Sequence, residues 1–297
     1  MMPISLESVA DGSLPSPEQS RGVRGAAKDG ATQDTTVGSR GPLIINADDW
    51  GRDRDNTDRT FQCLSRGTVT SVSAMVFMED SERAASIASE NRIDAGLHLN
   101  FTTAFSAKSC PANLLEHQGR LAKYLLSNRF SQVLFHPALA NSFEYVVSHQ
   151  LDAFHRIYGE VPQRLDGHHH MHLCSNVLLG RLMPDGTLVR RSFTFQPGEK
   201  SWVNRAYRRL IDRLLASRHR ITDYFFSIEP LDPRTRLQQI FKLADTYTIE
   251  VETHPVRPEE FRFLMGDEIL CLSERMRSAV LGNGKAQIAG GQDQPAT

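Results

Sequence analysis

Short apolar runs alternate with amphipathic segments along most of the chain. The run 43–49 predicts a strand buried on both faces and ending in two carboxylates. Segment 142–158 has apolar side chains at helical spacing and stops before a glycine, which predicts the clearest helix. Further strands are predicted at 69–77, 93–99, 163–166, 187–191, 224–228 and 247–253, and further helices at 55–66, 81–90, 176–182, 202–218, 234–245, 259–265 and 273–280.

Alternation of strands and helices is typical of parallel strands joined by helical crossovers. With about seven strands, the sequence predicts an α/β fold, a distorted TIM-like (β/α) barrel formed by one domain over residues 41–282. The pattern weakens over residues 101–140, an insertion after the third strand. Such an insertion forms either a lid or substrate wall, or a surface excursion with small helices of its own.

The two ends of the chain show no apolar period. Residues 1–40 are rich in Ser, Gly, Asp and Gln, and residues 283–297 are similar. Both are expected to be disordered tails, because they bury too little apolar surface to offset the entropy of ordering. The N-terminus has no basic region followed by an apolar core, so a secretory signal is not expected.

Composition and charge exclude several classes of protein. The 297 residues are 40% hydrophobic and 23% charged, which is ordinary for a soluble globular protein. A formal net charge of −1 predicts no nucleic-acid partner, and no apolar run approaches the ~20 residues of a membrane span. The four cysteines form no Cys-x-x-Cys pair, which favours reduced thiols in the cytoplasm over a zinc ribbon or disulfide framework.

Polar side chains recur where the predicted strands end. In a (β/α) barrel all these ends open onto one face, so the side chains are expected to meet. Carboxylates and imidazoles in one place predict a divalent-metal hydrolase site. The residues concerned are Asp48, Asp49, His98, Asp166, His168, Arg190 and His254.

Segment 164–172 has four histidines within five residues, behind an aspartate. If the segment stays extended, His168, His170 and His172 project to one side and His169 to the other. Three converging imidazoles are hard to explain as packing, so at least one is expected to bind metal. Whether that ligand is His168 or His170 stays open on spacing alone.

Each candidate also has a structural alternative. Neighbours in a regular strand face opposite sides, so Asp48 and Asp49 both reach one site only if the backbone turns, as Gly51 permits. Otherwise one of the two caps the next helix. His98 alone could be a core histidine bonded to a carbonyl, and His254 could simply precede a prolyl turn.

Four segments together resemble the YdjC-like carbohydrate deacetylases, a family that includes chitooligosaccharide and hopanoid-biosynthesis deacetylases. They are Ile-Ile-Asn-Ala-Asp-Asp-Trp-Gly at 44–51, Gly-Leu-His-Leu-Asn-Phe-Thr at 96–102, Leu-Asp-Gly-His-His-His-Met-His at 165–172 and Glu-Thr-His-Pro at 252–255. The resemblance covers roughly residues 43–280. It implies a distorted (β/α) barrel, a divalent metal held by one Asp and two His, removal of N-acetyl groups from amino sugars, and often a homodimer.

The resemblance assigns roles to individual residues. It implies Asp49, His98 and His168 as the metal ligands, Asp48 as the general base and His254 as the acid. Family members usually have Phe at position 50, where this chain has Trp, and Gly at position 256, where it has Val, so the pocket near His254 is expected to differ.

Five more polar residues are expected to contact substrate or support the ligands. Asp166 could accept the second N–H of a ligating histidine. Arg190 could hold a substrate oxygen or keep Asp48 ionised by pairing with it. The full set is Asn100, Asp166, His170, His172 and Arg190.

Together these features predict a metal-dependent hydrolase that removes N-acetyl groups from acetylated amino sugars. One divalent metal ion is expected, magnesium or zinc first and manganese or cobalt as alternatives, to lower the pKa of a bound water towards ~7. Two other classes remain open. They are a metallo-phosphoesterase, which often holds two metals ~3.5–4 Å apart, and a non-enzymatic metal- or sugar-binding module.

Overall fold

The computed structural model describes residues 43–128, 130–195 and 200–272. The two predicted tails and the helix predicted at 273–280 lie outside the described residues. Within them, no helix is long and apolar enough to cross a membrane. All four cysteines lie in the described part of the chain, and each is a free thiol.

Strands and helices alternate as the sequence predicts. The strands are β1 (Leu43–Trp50), β2 (Ser71–Ala74), β3 (Ala95–Leu99), β4 (Arg164–Gly167), β5 (Leu188–Val189), β6 (Tyr224–Ser227) and β7 (Ile249–Thr253). The helices are α1 (Arg54–Arg66), α2 (Ser81–Asn91), α3 (Ala112–Leu125), α4 (Ala140–Tyr158), α5 (Ser175–Gly180), α6 (Trp202–Ala216), α7 (Arg234–Leu243) and α8 (Pro258–Met265). Strands β2 and β5 are shorter than predicted; β5 has only two residues paired with β4.

The seven strands form one parallel sheet in the order β5-β4-β3-β2-β1-β7-β6. Main-chain hydrogen bonds bridge the gap between the outer strands β5 and β6. Val189 N–H donates to the carbonyl of Arg220 (2.8 Å), Arg220 N–H to that of Thr187 (3.0 Å), and Thr194 N–H to that of Phe225 (2.9 Å). The sheet therefore curls towards closure, and the predicted distorted TIM-like barrel is confirmed.

The insertion after β3 folds as a helix with its own apolar face. Leu114, Leu121 and Leu125 of α3 are buried, as are Phe143 and Val146 of α4. The two helices pack against each other, so this part of the insertion is the helical excursion that the sequence left as one of two alternatives.

The inside of the barrel is polar. Ser73 on β2 donates to Asp166 on β4 (2.6 Å), and Arg190, just after β5, donates to Asp48 on β1 (2.7 Å). These strands are not neighbours in the sheet, so the contacts cross the interior. Alternate positions along β1, β2 and β7 supply most of this lining, because alternate strand side chains share a face. The buried polar lining is Asn46, Asp48, Ser71, Ser73, His98, Asp166, Arg190, Glu250 and Glu252.

Gly96 in β3 is required by this crowded interior. A Cβ there would lie 2.9 Å from both the Cβ and the carbonyl oxygen of Arg164, whereas a Cβ on the exposed Gly119 of α3 would meet nothing within 4 Å. Gly96→Ala is therefore expected to lower the free energy of unfolding by about 1–3 kcal/mol. Gly119→Ala is expected to raise it by roughly 0.5–1 kcal/mol, because alanine favours helix. Urea unfolding of both variants measures this; equal midpoints would contradict it.

Candidate metal centre and active site

The two consecutive aspartates at the end of β1 both face the mouth of the barrel because the backbone turns between them. Asp49 has φ +63°, a left-handed conformation uncommon outside glycine, and the pairing register with β2 shifts between Ala47 and Trp50. The turn needed for both carboxylates to reach one site therefore lies at Asp49 itself, with Gly51 (φ +84°) continuing it.

Three buried side chains meet at this turn. Asp49 Oδ1 lies 2.9 Å from His168 Nδ1 and 3.4 Å from His98 Nε2. One possible ligand atom from each residue lies within 4.8 Å of the others. Asp49 Oδ1 is buried without a hydrogen bond of acceptable geometry, although two imidazole nitrogens face it. One carboxylate and two imidazoles, with an orphaned oxygen between them, suit a divalent cation.

Two further residues orient this trio. His98 Nδ1 donates to Asp166 Oδ1 at 2.7 Å, the carboxylate support that ligating histidines commonly have. Arg52 donates to the other Asp49 oxygen, Oδ2, at 2.9 Å. Burial alone lowers the pKa of His98, but the Asp166 and Asp48 carboxylates outweigh it and raise that pKa to about 10. Without a cation the imidazole is therefore protonated, and a bound cation would take the place of that proton.

Arg190 lies at the centre of the barrel interior, with only 1% of its side chain exposed. Its NH1 and NH2 groups donate to Asp48 Oδ2 and Oδ1, both at 2.7 Å. NH2 also lies 2.6 Å from Asp166 Oδ2, and Nε donates to Glu250 Oε1 at 2.7 Å. NH1 lies 3.4 Å from Glu252 Oε2. One guanidinium thus faces four buried carboxyl groups.

Because one positive charge faces four carboxyl groups, the pKa is lowered for two of them and raised for the other two. Burial by itself raises the pKa of Asp48 and Asp166, yet Arg190 and His98 hold both below the usual range. Burial raises the pKa of Glu250, and burial together with the Asp48 charge raises that of Glu252 well above its usual range. The two aspartates are therefore the ionised members of the group.

The extended conformation considered for the histidine segment is wrong. Strand β4 ends at Gly167, and residues 168–173 form 3₁₀ turns in which His169 (φ +54°) and His170 (φ +56°) are left-handed. A Cβ on Gly167 would lie 3.0 Å from the backbone nitrogen of His172, closer than most Cβ contacts, so glycine gives this tight turn the room that it needs. The three imidazoles consequently separate instead of converging.

Each histidine of the segment has a different environment. His168 faces Asp49, whereas His170 Nε2 lies 3.7 Å from Glu252 Oε2. His172 is fully buried, and its Nε2 donates to the carbonyl of Arg190 at 2.9 Å. Burial lowers the pKa of His172 to about 4, so it is neutral and positions the end of β5. His169, omitted from the predicted site, is exposed, and its Nδ1 lies 3.0 Å from Thr102 Oγ1.

His254 follows β7, whose Thr253 pairs with Ala47 of β1, so it lies beside the paired aspartates in the sheet. Its side chain is 20% exposed. The buried Glu260 of α8 accepts from His254 N–H and from Thr253 Oγ1, both at 2.6 Å, and its Oε1 lies 4.0 Å from His254 Nδ1. Glu260 therefore fixes the backbone that carries His254.

Asn100 does not face the site. It is fully buried, accepts from the backbone N–H groups of Thr102 and Thr103, and donates to the Thr103 carbonyl at 2.7 Å. Its expected contact with a sugar stays a prediction that this geometry does not favour.

Four charged residues of the site were missed by reasoning from the sequence. For two of them a signal existed, because carboxylates at alternate positions of an otherwise apolar strand indicate a polar interior. The other two lie on a loop and a helix, where sequence spacing gives no indication of a contact with the site. The four are Glu250 and Glu252 in the first case, and Arg52 and Glu260 in the second.

Comparisons with known proteins identify a family and several relatives of this chain. The YdjC-like protein family matches residues 42–276. A carbohydrate deacetylase of Clostridium beijerinckii is 23% identical over 216 residues, 72% of this chain and 80% of that protein. A chitooligosaccharide deacetylase of Proteus mirabilis is 30% identical over 136 residues, 46% of this chain and 51% of that protein. Among solved structures, an Enterococcus faecalis protein named for cellobiose-phosphate cleavage gives a TM-score of 0.56 at 19% identity, covering 80% of this chain and 95% of that one, which shows the fold alone.

Glu252→Gln tests the charge imbalance inside the barrel. Folding raises the pKa of the Glu252 carboxyl group. Above the pKa that this group has in the unfolded chain, it therefore lowers the free energy of unfolding, and below that pKa it has no such effect. The variant is therefore expected to melt at higher temperature than the parent at pH 8, by roughly 2–4 °C for each kcal/mol, and to lose that advantage at pH 4. The exposed Glu259→Gln is the control. A variant less stable than the parent at pH 8 would contradict the assignment.

Proposed function

We propose, given that this chain belongs to the YdjC-like protein family, that it is a metal-dependent hydrolase that removes N-acetyl groups from acetylated amino sugars. Water adds to the acetyl carbonyl, the amide C–N bond breaks, and acetate and a free amine leave. Relatives named carbohydrate deacetylase and chitooligosaccharide deacetylase support the reaction class. The observation that carries the proposal is an ionised second carboxylate, Asp48, beside the carboxylate and two imidazoles that suit a cation.

The ligands in this proposal are Asp49, His98 and His168. A divalent cation held there supplies Lewis acidity, which polarises a carbonyl and lowers the pKa of a water towards ~7. The donor set of two nitrogens and one oxygen is typical of zinc, manganese or cobalt, and less so of magnesium, which prefers oxygen. Asp166 and Arg52 hold two of the ligands in the required orientation through the 2.7 Å and 2.9 Å contacts.

Asp48 is the base in this proposal. Arg190 keeps the carboxylate ionised, so it is available to accept a proton from the attacking water at neutral pH. Its Oδ1 already accepts from Asn46 at 2.8 Å and from Arg190, whereas its Oδ2 accepts from Arg190 alone among the described hydrogen bonds. Oδ2 is therefore the oxygen with capacity for the proton.

His254 is the proposed acid for the leaving amine. Its side chain is the partly exposed group at the end of β7, and Glu260 holds its backbone through a 2.6 Å hydrogen bond. A proton delivered there to the nitrogen offsets the poor leaving ability of an amine, a step worth ~10²–10⁴-fold in rate.

A two-metal phosphoesterase is the less favoured function. A second group of possible ligands does exist, formed by Asp48, His98 and Asp166. However, the Arg190 guanidinium already bridges both aspartates at 2.6–2.7 Å. An internal cation thus stands beside the carboxylates that a second metal ion would need, which favours chemistry with one metal.

The chain is expected to bind one divalent ion. Elemental analysis after loading with Zn²⁺ or Mn²⁺ should give one ion per chain, and His98→Ala should lose most of it because two ligands bind weakly. His155→Ala, on the outer face of α4, is the control and should keep the ion. Chelation should stop acetate release, and re-addition of metal should restore it. Two ions per chain would favour the phosphoesterase instead.

Asp48→Asn is expected to lower turnover of N,N′-diacetylchitobiose by about 10²–10⁴-fold, because an amide cannot accept the proton. Acetate release measures turnover, and elemental analysis should show that the metal ion stays bound. The exposed Asp152→Asn is the matched control and should keep full activity. If Asp48→Asn folds, holds metal and turns over at the parental rate, Asp48 is not the base.

A further inference from the structure

Aromatic side chains form a wall beside the candidate site, between the ends of β5 and β6. Phe193 stacks on Phe225 with ring centroids 4.6 Å apart and planes inclined by 18°. His170 and Phe193 form a T-shaped contact with ring centroids 4.7 Å apart, and the Phe195 centroid lies 6.1 Å from that of Phe193. We call Phe193, Phe195, Phe225 and His170 the aromatic wall. Nothing in the metal trio or the paired aspartates requires it.

The members of the wall differ in exposure. Phe225 is fully buried, and it covers the Arg190 guanidinium at 4.9 Å. Phe193 is only half-buried, although its ring rests on Phe225 and contacts His170. Since residue 193 follows β5, it lies at the carboxyl end of the strands, the end to which the aspartates and His254 also belong.

A half-buried phenyl ring at the mouth of a polar site suits a ligand with an apolar face. A pyranose ring has such a face, formed by axial C–H groups, whereas its hydroxyls point outwards. The electron-rich face of an aromatic ring attracts these C–H groups and excludes water from them. At the far end of the wall, Lys200 and Arg208 lie 5.2 Å and 4.8 Å from the Phe195 centroid and offer donors for hydroxyls.

We propose that Phe193 is a sugar-stacking residue that binds the pyranose next to the one carrying the reacting acetamido group. The proposal rests on the proposed deacetylase function. Among the described contacts, Phe193 is joined to the site through other residues: His170 contacts it and lies 3.7 Å from Glu252, which lies 3.4 Å from Arg190. The reacting sugar has to be at the aspartates, so the ring over Phe193 belongs to its neighbour. The chain thus prefers oligomeric substrates.

Phe193→Ala tests the proposal with two probe substrates. For N,N′-diacetylchitobiose, KM is expected to rise about tenfold while kcat changes by less than about twofold, as for the loss of ~1.4 kcal/mol of ground-state binding. For N-acetylglucosamine, KM should not change. Phe193→Tyr, which keeps the ring, should restore the parental KM. Phe261→Ala is the control, because Phe261 is a half-buried ring packed by Arg59 on α1.

A binding measurement separates this proposal from the proposed function. Saturation-transfer NMR with N,N′-diacetylchitobiose reports stacking without requiring turnover. Binding by the parent and about tenfold weaker binding by Phe193→Ala would support the subsite even if no acetate is released; that result would contradict the deacetylase function alone. An equal rise in KM for both sugars, no change in either, or no binding of the disaccharide by the parent would overturn the subsite.

Discussion

The contact between Arg190 and the carboxyl groups inside the barrel determines which of those groups are ionised. A buried charge without a partner is too costly to persist, so one guanidinium selects which of its neighbours stay ionised. Asp48 is held at 2.7 Å on both oxygens and stays charged, whereas Glu252, at 3.4 Å, has a pKa raised well above its usual range. Because Arg190 follows β5 and three of its partners lie on β1 and β7, the same contact also joins strands that are not neighbours.

Asp166 connects this interior network to the candidate metal centre. Its Oδ2 faces Arg190 at 2.6 Å and its Oδ1 accepts from His98 at 2.7 Å, so one carboxylate orients a ligand and balances the guanidinium. Asp49 has no such place in the network, since its left-handed backbone turns its side chain towards His98 and His168. Strain of this kind, of order 1–3 kcal/mol, persists where the surroundings fix it. The turn gives two adjacent aspartates different partners: Asp48 pairs with the buried Arg190, whereas Asp49 faces two imidazoles and the partly exposed Arg52.

The sequence predicts the architecture well because alternation of apolar runs with amphipathic helices is a local pattern. It leads directly to parallel strands with polar ends on one face, and the barrel follows. The residues that contact the site side chains are harder to predict from the sequence. Glu250 and Glu252 lie within a strand that the sequence predicts, and their alternation indicates one polar face. Arg52 and Glu260 reach the site from a loop and a helix, and only folding brings them to Asp49 and His254.

The histidine segment shows why spacing could not decide between His168 and His170. The alternation rule applies to extended backbone and puts both imidazoles on one side, where they are equivalent. The left-handed turn at His169 and His170 removes that equivalence: His168 stays at the end of β4 against Asp49, and His170 swings to Glu252 and Phe193. His168 and His170, two residues apart in one motif, thus contact different sides of the barrel mouth. A turn of this kind depends on Gly167 leaving room for His172, a three-dimensional constraint that the order of residues alone does not reveal.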